Sequence, residues 1–142
     1  MDHVAEMPAE PPSGFAPLFR SSPLLDVLGP FWGRGEGADL VIGLRVAPKH
    51  CNSRDTLHGG VIATIADVAL GYVTAFGSVP PRRLLTASLT IEYTGSARVG
   101  DWIEAHVDTS RAGGTLAFAN CYLRCGEVQV ARASAVFAVA RG

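Results

Sequence analysis

The run His58-Gly59-Gly60-Val61-Ile62-Ala63-Thr64-Ile65-Ala66-Asp67-Val68-Ala69-Leu70-Gly71-Tyr72-Val73-Thr74-Ala75-Phe76 decides the fold of this chain. It opens on a glycine pair, is apolar almost all round, and carries one carboxylate, Asp67, near its middle. It reads as a single helix, and a helix without a polar face must be enclosed by other structure or by lipid. A bilayer span needs about 20 apolar residues. Asp67 would then lie near mid-membrane, glycines interrupt the run, and amphipathic strands of a soluble sheet follow it, so the helix is expected inside a soluble domain. Asp67 is the anomaly, because an unpaired carboxylate in an apolar interior is costly or shifts its pKa upward.

Beyond Gly77 the chain alternates. Leu85, Ala87, Leu89, Ile91 and Tyr93 interleave with Thr86, Ser88, Thr90, Glu92 and Thr94, a period of two that predicts a half-buried strand. Trp102 to Asp108, Thr115 to Arg124 and Val128 to Val139 read as three more strands, with turns at 95–100, 111–114 and 125–127. The short connections predict an antiparallel meander of four. Before the helix, Leu40 to Val46 reads as a strand entered through the hairpin Gly33-x-Gly35-x-Gly37, and Pro48 to Asp55 as a polar loop with Asp55 or Thr56 as the N-cap. Ser22, Pro23 and Gly29-Pro30 mark the cap, first turn and stop of a short helix. Residues 1–14, rich in proline, read as a flexible tail, and residues 15–142 as one α+β domain of five to six strands wrapped around the long helix.

The chain has 142 residues, 48% hydrophobic and only 18% charged, which suits a single globular domain. Its formal charge of -1 and its lack of Lys/Arg blocks argue against nucleic acid and acidic membranes as partners. The first residues show no basic stretch followed by an apolar run, so no secretory signal is expected and a cytoplasmic location is. Cys51, Cys121 and Cys125 form an odd set, and the last two would stand about 13 Å apart on one strand, too far to bridge. They are read as reduced thiols in or near the core. No His/Cys spacing suggests a metal site.

The amides of Gly59 and Gly60 sit at the positive end of the helix dipole. They can polarise a substrate carbonyl, or the pair can simply permit close helix-to-sheet packing. Asp67 can act as a base, or be satisfied by Thr64, another strand or water. Eight residues separate Gly59 from Asp67, about 12 Å along one helix and about 80° around it. If both serve one reaction, Asp67 must come from a second subunit and the site must straddle a symmetric dimer interface. No Gly-x-Ser-x-Gly elbow, placed Cys-His pair or carboxylate pair offers another chemistry. Phe76, Tyr72, Leu24 and Leu28 are read as core packing rather than pocket wall.

The segment Asn52-Ser53-Arg54-Asp55-Thr56-Leu57-His58-Gly59-Gly60, continued to Asp67, resembles the signature of hotdog-fold acyl-CoA thioesterases of the phenylacetate-degradation branch. The resemblance continues through Thr86 to Tyr93, Arg98-Val99-Gly100-Asp101 and Gly114 to Phe118. It implies a thioester hydrolase without metal or redox cofactor, coenzyme A entering as part of the substrate, active as a homodimer or a dimer of dimers. Carried over by position, the Gly59 amide polarises the thioester carbonyl, and Asp67 of the partner chain acts as general base or nucleophile. Asn52 holds the water or the leaving group, Thr86 orients the water, and His58 either joins the site or ties down the loop. Arg82, Arg83 and Arg98 are candidates for the CoA phosphates. The family often has glycine where Asp55 stands and proline at Ser96. Strict alternation puts Thr86 on the polar face of its strand, from which it reaches a site only at an edge or a bulge. A hydratase or dehydratase of the same fold, and a non-catalytic acyl-CoA-binding module, are the rival expectations.

Overall fold

The computed structural model describes residues 10–112 and 114–140. The expected tail falls outside this range for residues 1–9, as does Gly113 of the expected turn. Glu10 and Pro11 already lie against the sheet, where the Glu10 carbonyl accepts from Arg45 at 3.4 Å.

Among the described residues two α-helices and seven strands follow in order: β1 (Ala16–Pro17), α1 (Pro23–Leu28), β2 (Trp32–Arg34), β3 (Val41–Arg45), α2 (Gly59–Phe76), β4 (Leu84–Tyr93), β5 (Trp102–Ala112), β6 (Leu116–Cys125) and β7 (Val128–Val139). The strands form one antiparallel sheet in the order β1-β2-β3-β5-β6-β7-β4. This is the hotdog fold: a curved sheet around one long helix. Against the five to six strands expected there are seven, with the short β1 and β2 lying at one edge.

The expected four-strand meander is corrected at one point. β5, β6 and β7 do run as a meander, but β4 pairs with β7 at the far edge and β3 takes the place beside β5. The connection 94–101 is a crossover rather than a turn. It leaves β4 with Thr94 and Gly95 donating to the Val130 carbonyl, buries Ala97 beneath the entry to α2, and reaches β3 where Val46 donates to Asp101 at 2.8 Å. Eight residues are long enough to cross, which connection length alone did not show.

α2 is enclosed on one side only. Ile62, Ile65, Ala66, Ala69, Leu70 and Val73 pack into a core with Ile42, Leu44, Ile103, Leu123 and Phe137. Ala63, Thr64, Asp67, Val68, Gly71, Tyr72 and Ala75, spaced three and four apart, form a half-exposed stripe. The helix has the length and mean hydropathy, 1.6, of a membrane span, yet its apolar bulk faces the sheet. Its N-cap is His58, correcting the expectation of Asp55 or Thr56.

The cysteines are free thiols. Burial pushes the Cys121 thiol up to about 12, which keeps it protonated and inert.

Candidate active site

The loop before α2 is built from its own side chains. Asn52 Oδ1 accepts from the Arg54 and Thr56 amides at 2.9 and 3.2 Å, and Asn52 Nδ2 donates to the Thr56 hydroxyl at 2.9 Å. This local turn turns the Asn52 amide inward on the loop. Asp55 stands at φ 60, the left-handed conformation that glycine adopts freely and aspartate tolerates. The aspartate therefore keeps the loop shape that glycine would give.

At the helix start, His58 Nδ1 accepts the Gly60 amide at 2.9 Å, and its carbonyl accepts from Val61 and Ile62 at 3.0 and 3.1 Å. Three of the four first-turn amides are thereby engaged. The Gly59 N–H meets no acceptor among the described residues, so of the glycine pair only Gly59 offers a donor outward. A Cβ on Gly59 would lie 3.3 Å from the Tyr93 ring, whose hydroxyl donates to the Gly59 carbonyl at 2.8 Å. Close packing and an outward amide thus coexist at one residue. Tyr93 was legible in the sequence only as one more apolar position of β4.

Asp67 lies two turns further along, on the open stripe and half-buried rather than enclosed. Its Oδ1 accepts the Thr86 hydroxyl at 3.0 Å. Thr86 reaches it because β4 bulges. Thr86 pairs with Phe137 and Ser88 with Val136, so Ala87 is an extra residue that shifts the phase of the strand. Thr86 shares the inner face with the fully buried Phe137, while Ser88 and Thr90 pair with Val136 and Ser134 on the other face.

Asp67 and Thr86 open onto a cleft of about 420 Å³ between α2 and the start of β4, walled by Val68, Gly71, Tyr72 and Phe76 with Arg20, Arg82 and Arg83. A second cleft of about 430 Å³, on the α1 side of Asp67, includes Leu24 and Thr64. Phe76 and Leu24 are therefore cleft wall, against the expectation of core packing, while Leu28 packs on the core and Tyr72 does both, lining the clefts with one side and packing on the core with the other. The Arg20 guanidinium lies over the Tyr72 and Phe76 rings, 5.5 and 5.4 Å from their centroids.

The candidate residues thus fall into two groups. Asp67, Thr86, Arg82 and Arg83 share one cleft. Asn52, His58, Gly59 and Arg98 gather at the N-terminal end of α2, where Arg98 forms a β-bridge with Thr56. Among the described residues no group of three or more His, Cys, Asp or Glu is arranged to hold a metal ion.

Comparison with known proteins places this geometry. The family model of the thioesterase superfamily matches residues 55–136. A Pseudomonas aeruginosa protein named "Putative esterase" is 51% identical over 127 residues, covering 89% of this chain and 95% of its own. Zebra fish thioesterase superfamily member 2 superposes with a TM-score of 0.75 at 24% identity, over 81% of this chain and 85% of that one. A hypothetical thioesterase from Streptococcus pneumoniae, solved with coenzyme A, superposes with a TM-score of 0.71 at 18% identity, over 77% and 87%. With its family signature spanning the α2 entry loop to β7, and a hotdog sheet around that helix, the chain belongs to the thioesterase superfamily and is a thioester hydrolase.

Proposed function

We propose that this protein is an acyl-CoA thioesterase, hydrolysing an acyl or arylacyl thioester to the free acid and CoA at sites shared between two subunits. The observation that carries the reading is Asp67, oriented by Thr86 at the mouth of the α2 cleft. The Gly59 N–H donates a hydrogen bond to the thioester oxygen and stabilises it as it becomes an oxyanion. In the general-base route, Asp67 takes a proton from water, the hydroxide adds to the carbonyl carbon, and collapse of the intermediate expels CoA as thiolate. In the nucleophilic route the carboxylate itself adds to the carbonyl carbon, the C–S bond breaks to expel CoA as thiolate and leave a mixed anhydride, and water then hydrolyses that anhydride to free acid and the regenerated carboxylate. No cofactor is required in either.

Gly59 and Asp67 point from different turns and different sides of one helix, so the two come together in trans. β4 supports this assembly. Ten residues long, it is an edge strand with only β7 beside it, and it exposes Leu85 by 72% and Tyr93 by 53%. Long apolar edges are normally covered. A second copy pairing there in antiparallel fashion sets the Asp67 end of one α2 against the Gly59 end of the other. Arg82 and Arg83 of one chain and Arg98 of its partner then flank one site, a positive frame for the CoA phosphates. Coenzyme A in the Streptococcus pneumoniae relative supports this ligand class. A cytoplasmic dimer, or a dimer of dimers, is the working form in this reading.

Mixed oligomers test the proposal. Asp67→Asn should lower kcat for an acyl-CoA about 10³-fold with CoA affinity retained, and Gly59→Val should be similarly impaired. Refolding the two variants together should restore activity, because one site in each mixed dimer is intact. Thiol release that stays at the level of the separate variants would sink the shared site, and near-normal turnover of Asp67→Asn would sink the base.

A further inference from the structure

His50 stands outside every motif considered above, yet among the described residues it is the most buried polar side chain, 1% exposed. It ends a 3-10 turn, Pro48–His50, between β3 and the loop that enters α2. Its Nδ1 accepts the Ala47 amide at 2.8 Å, so the proton sits on Nε2, which donates to the Leu28 carbonyl at the end of α1. The neighbouring Lys49 ammonium holds the two flanking carbonyls, Val27 at 2.8 Å and Gly29 at 2.6 Å. The turn is thereby locked onto the C-terminus of α1, whose last carbonyls lack partners within so short a helix.

The backbone of the same residue faces the other way. The His50 carbonyl accepts the His58 amide at 2.8 Å, and His58 is the residue whose peptide carries the Gly59 N–H. His58 then engages Gly60, Val61 and Ile62 and leaves Gly59 as the outward donor. The imidazole thus anchors residue 50 to the α1 end, and the backbone carbonyl of the same residue holds the His58 amide beside the peptide that aims Gly59. Burial and the Lys49 charge hold the imidazole pKa below the ordinary 6.5, against the opposing pull of the Leu28 carbonyl. Glu10, Arg45 and Lys49 are the other charged groups lining the cavity of about 280 Å³ beside it.

We propose that His50 is a positioning residue of the thioesterase: in its neutral form it fixes the direction of the Gly59 N–H through the His58 amide. The inference rests on the proposed role of Gly59 as carbonyl donor. A displacement of about 1 Å at such a group costs on the order of 10²-fold in rate. A purely structural histidine would lower stability without that signature.

The test reads the carbonyl directly. An acyl-CoA carrying ¹³C at the thioester carbon is bound to Asp67→Asn, which holds it unhydrolysed, and its C=O stretch is recorded by difference infrared spectroscopy. The same measurement is made with His50→Leu and with His50→Asn added, each verified as folded by circular dichroism. His50→Asn keeps an oxygen to accept from Ala47. The expected result is a lowered frequency with His50 present, a shift at least halved by His50→Leu, and a partial return with His50→Asn. In the Asp67-intact enzyme, His50→Leu should lower kcat about 10 to 10²-fold with KM within about twofold. Equal shifts and equal kcat in all three forms would overturn the role of His50. No shift even with His50 present would instead remove the Gly59 donor, and this inference with it.

Discussion

The Thr86 hydroxyl donates to Oδ1 of Asp67 across 3.0 Å, joining the bulge of β4 to the open stripe of α2. A carboxylate that must act on a substrate atom gains from a neighbour that holds one oxygen and leaves the other available. Thr86→Val keeps the shape and removes the donor. A hydrogen bond to a charged group contributes about 1.5 to 3 kcal/mol, and at this partly open site the expected loss is about 10-fold in kcat, with Thr86→Ser near wild type. Steady-state thiol release decides it, and an unchanged kcat for Thr86→Val would remove Thr86 from the mechanism.

Tyr93 packs on Gly59, and the pair should be energetically coupled. A methyl group at Gly59 gains helix propensity, about 1 kcal/mol at most, but meets the tyrosine ring at 3.3 Å. Gly59→Ala should therefore be better tolerated with Tyr93→Ala than with Tyr93 intact, by about 0.5 to 1 kcal/mol. Denaturant midpoints of the two single variants and the double variant measure the coupling. A value of zero would mean that the ring moves aside freely.

Asp55 occupies a left-handed backbone position, φ 60. Asp55→Gly should be neutral or slightly stabilising there, whereas a β-branched residue should cost about 1 to 2 kcal/mol. Because the Asn52 turn contains this residue, Asp55→Val should also raise KM for acyl-CoA. Thermal unfolding together with KM for the two variants checks both statements.

His50 gives the fold an acid-side sensitivity. Its native pKa is lowered from 6.5, so between that value and the native one the unfolded chain binds the extra proton and the folded chain does not. Stability is complete above pH 6.5 and falls as the pH drops through this window, with a slope of up to about 1.4 kcal/mol per pH unit from this one group. Urea midpoints between pH 7.5 and 5 should show the decline, and His50→Asn should flatten it. An equal slope in both proteins would assign the effect to other groups.

Much of this molecule is legible along the chain. The span of α2, its glycine pair and the lone Asp67 follow from composition and period, and α1 follows from Ser22, Pro23 and Gly29, which act within a few residues of one another. The spacing of Gly59 and Asp67 on one helix already carries the proposal of a site shared by two chains, for if both serve one reaction they must come from different copies, and helix geometry is the same in every protein. Tertiary structure decided the rest. β4 sits beside β7 because the 94–101 segment buries Ala97 and crosses the end of α2, a contact between distant residues that no local pattern encodes. Asp67 lies in an open cleft because the sheet covers only one side of the helix, and apolarity all round does not say which side remains uncovered. Thr86 faces Asp67 because one extra residue, Ala87, resets the two-residue period of its strand, and His50 matters because its imidazole and its carbonyl reach two segments far apart in sequence.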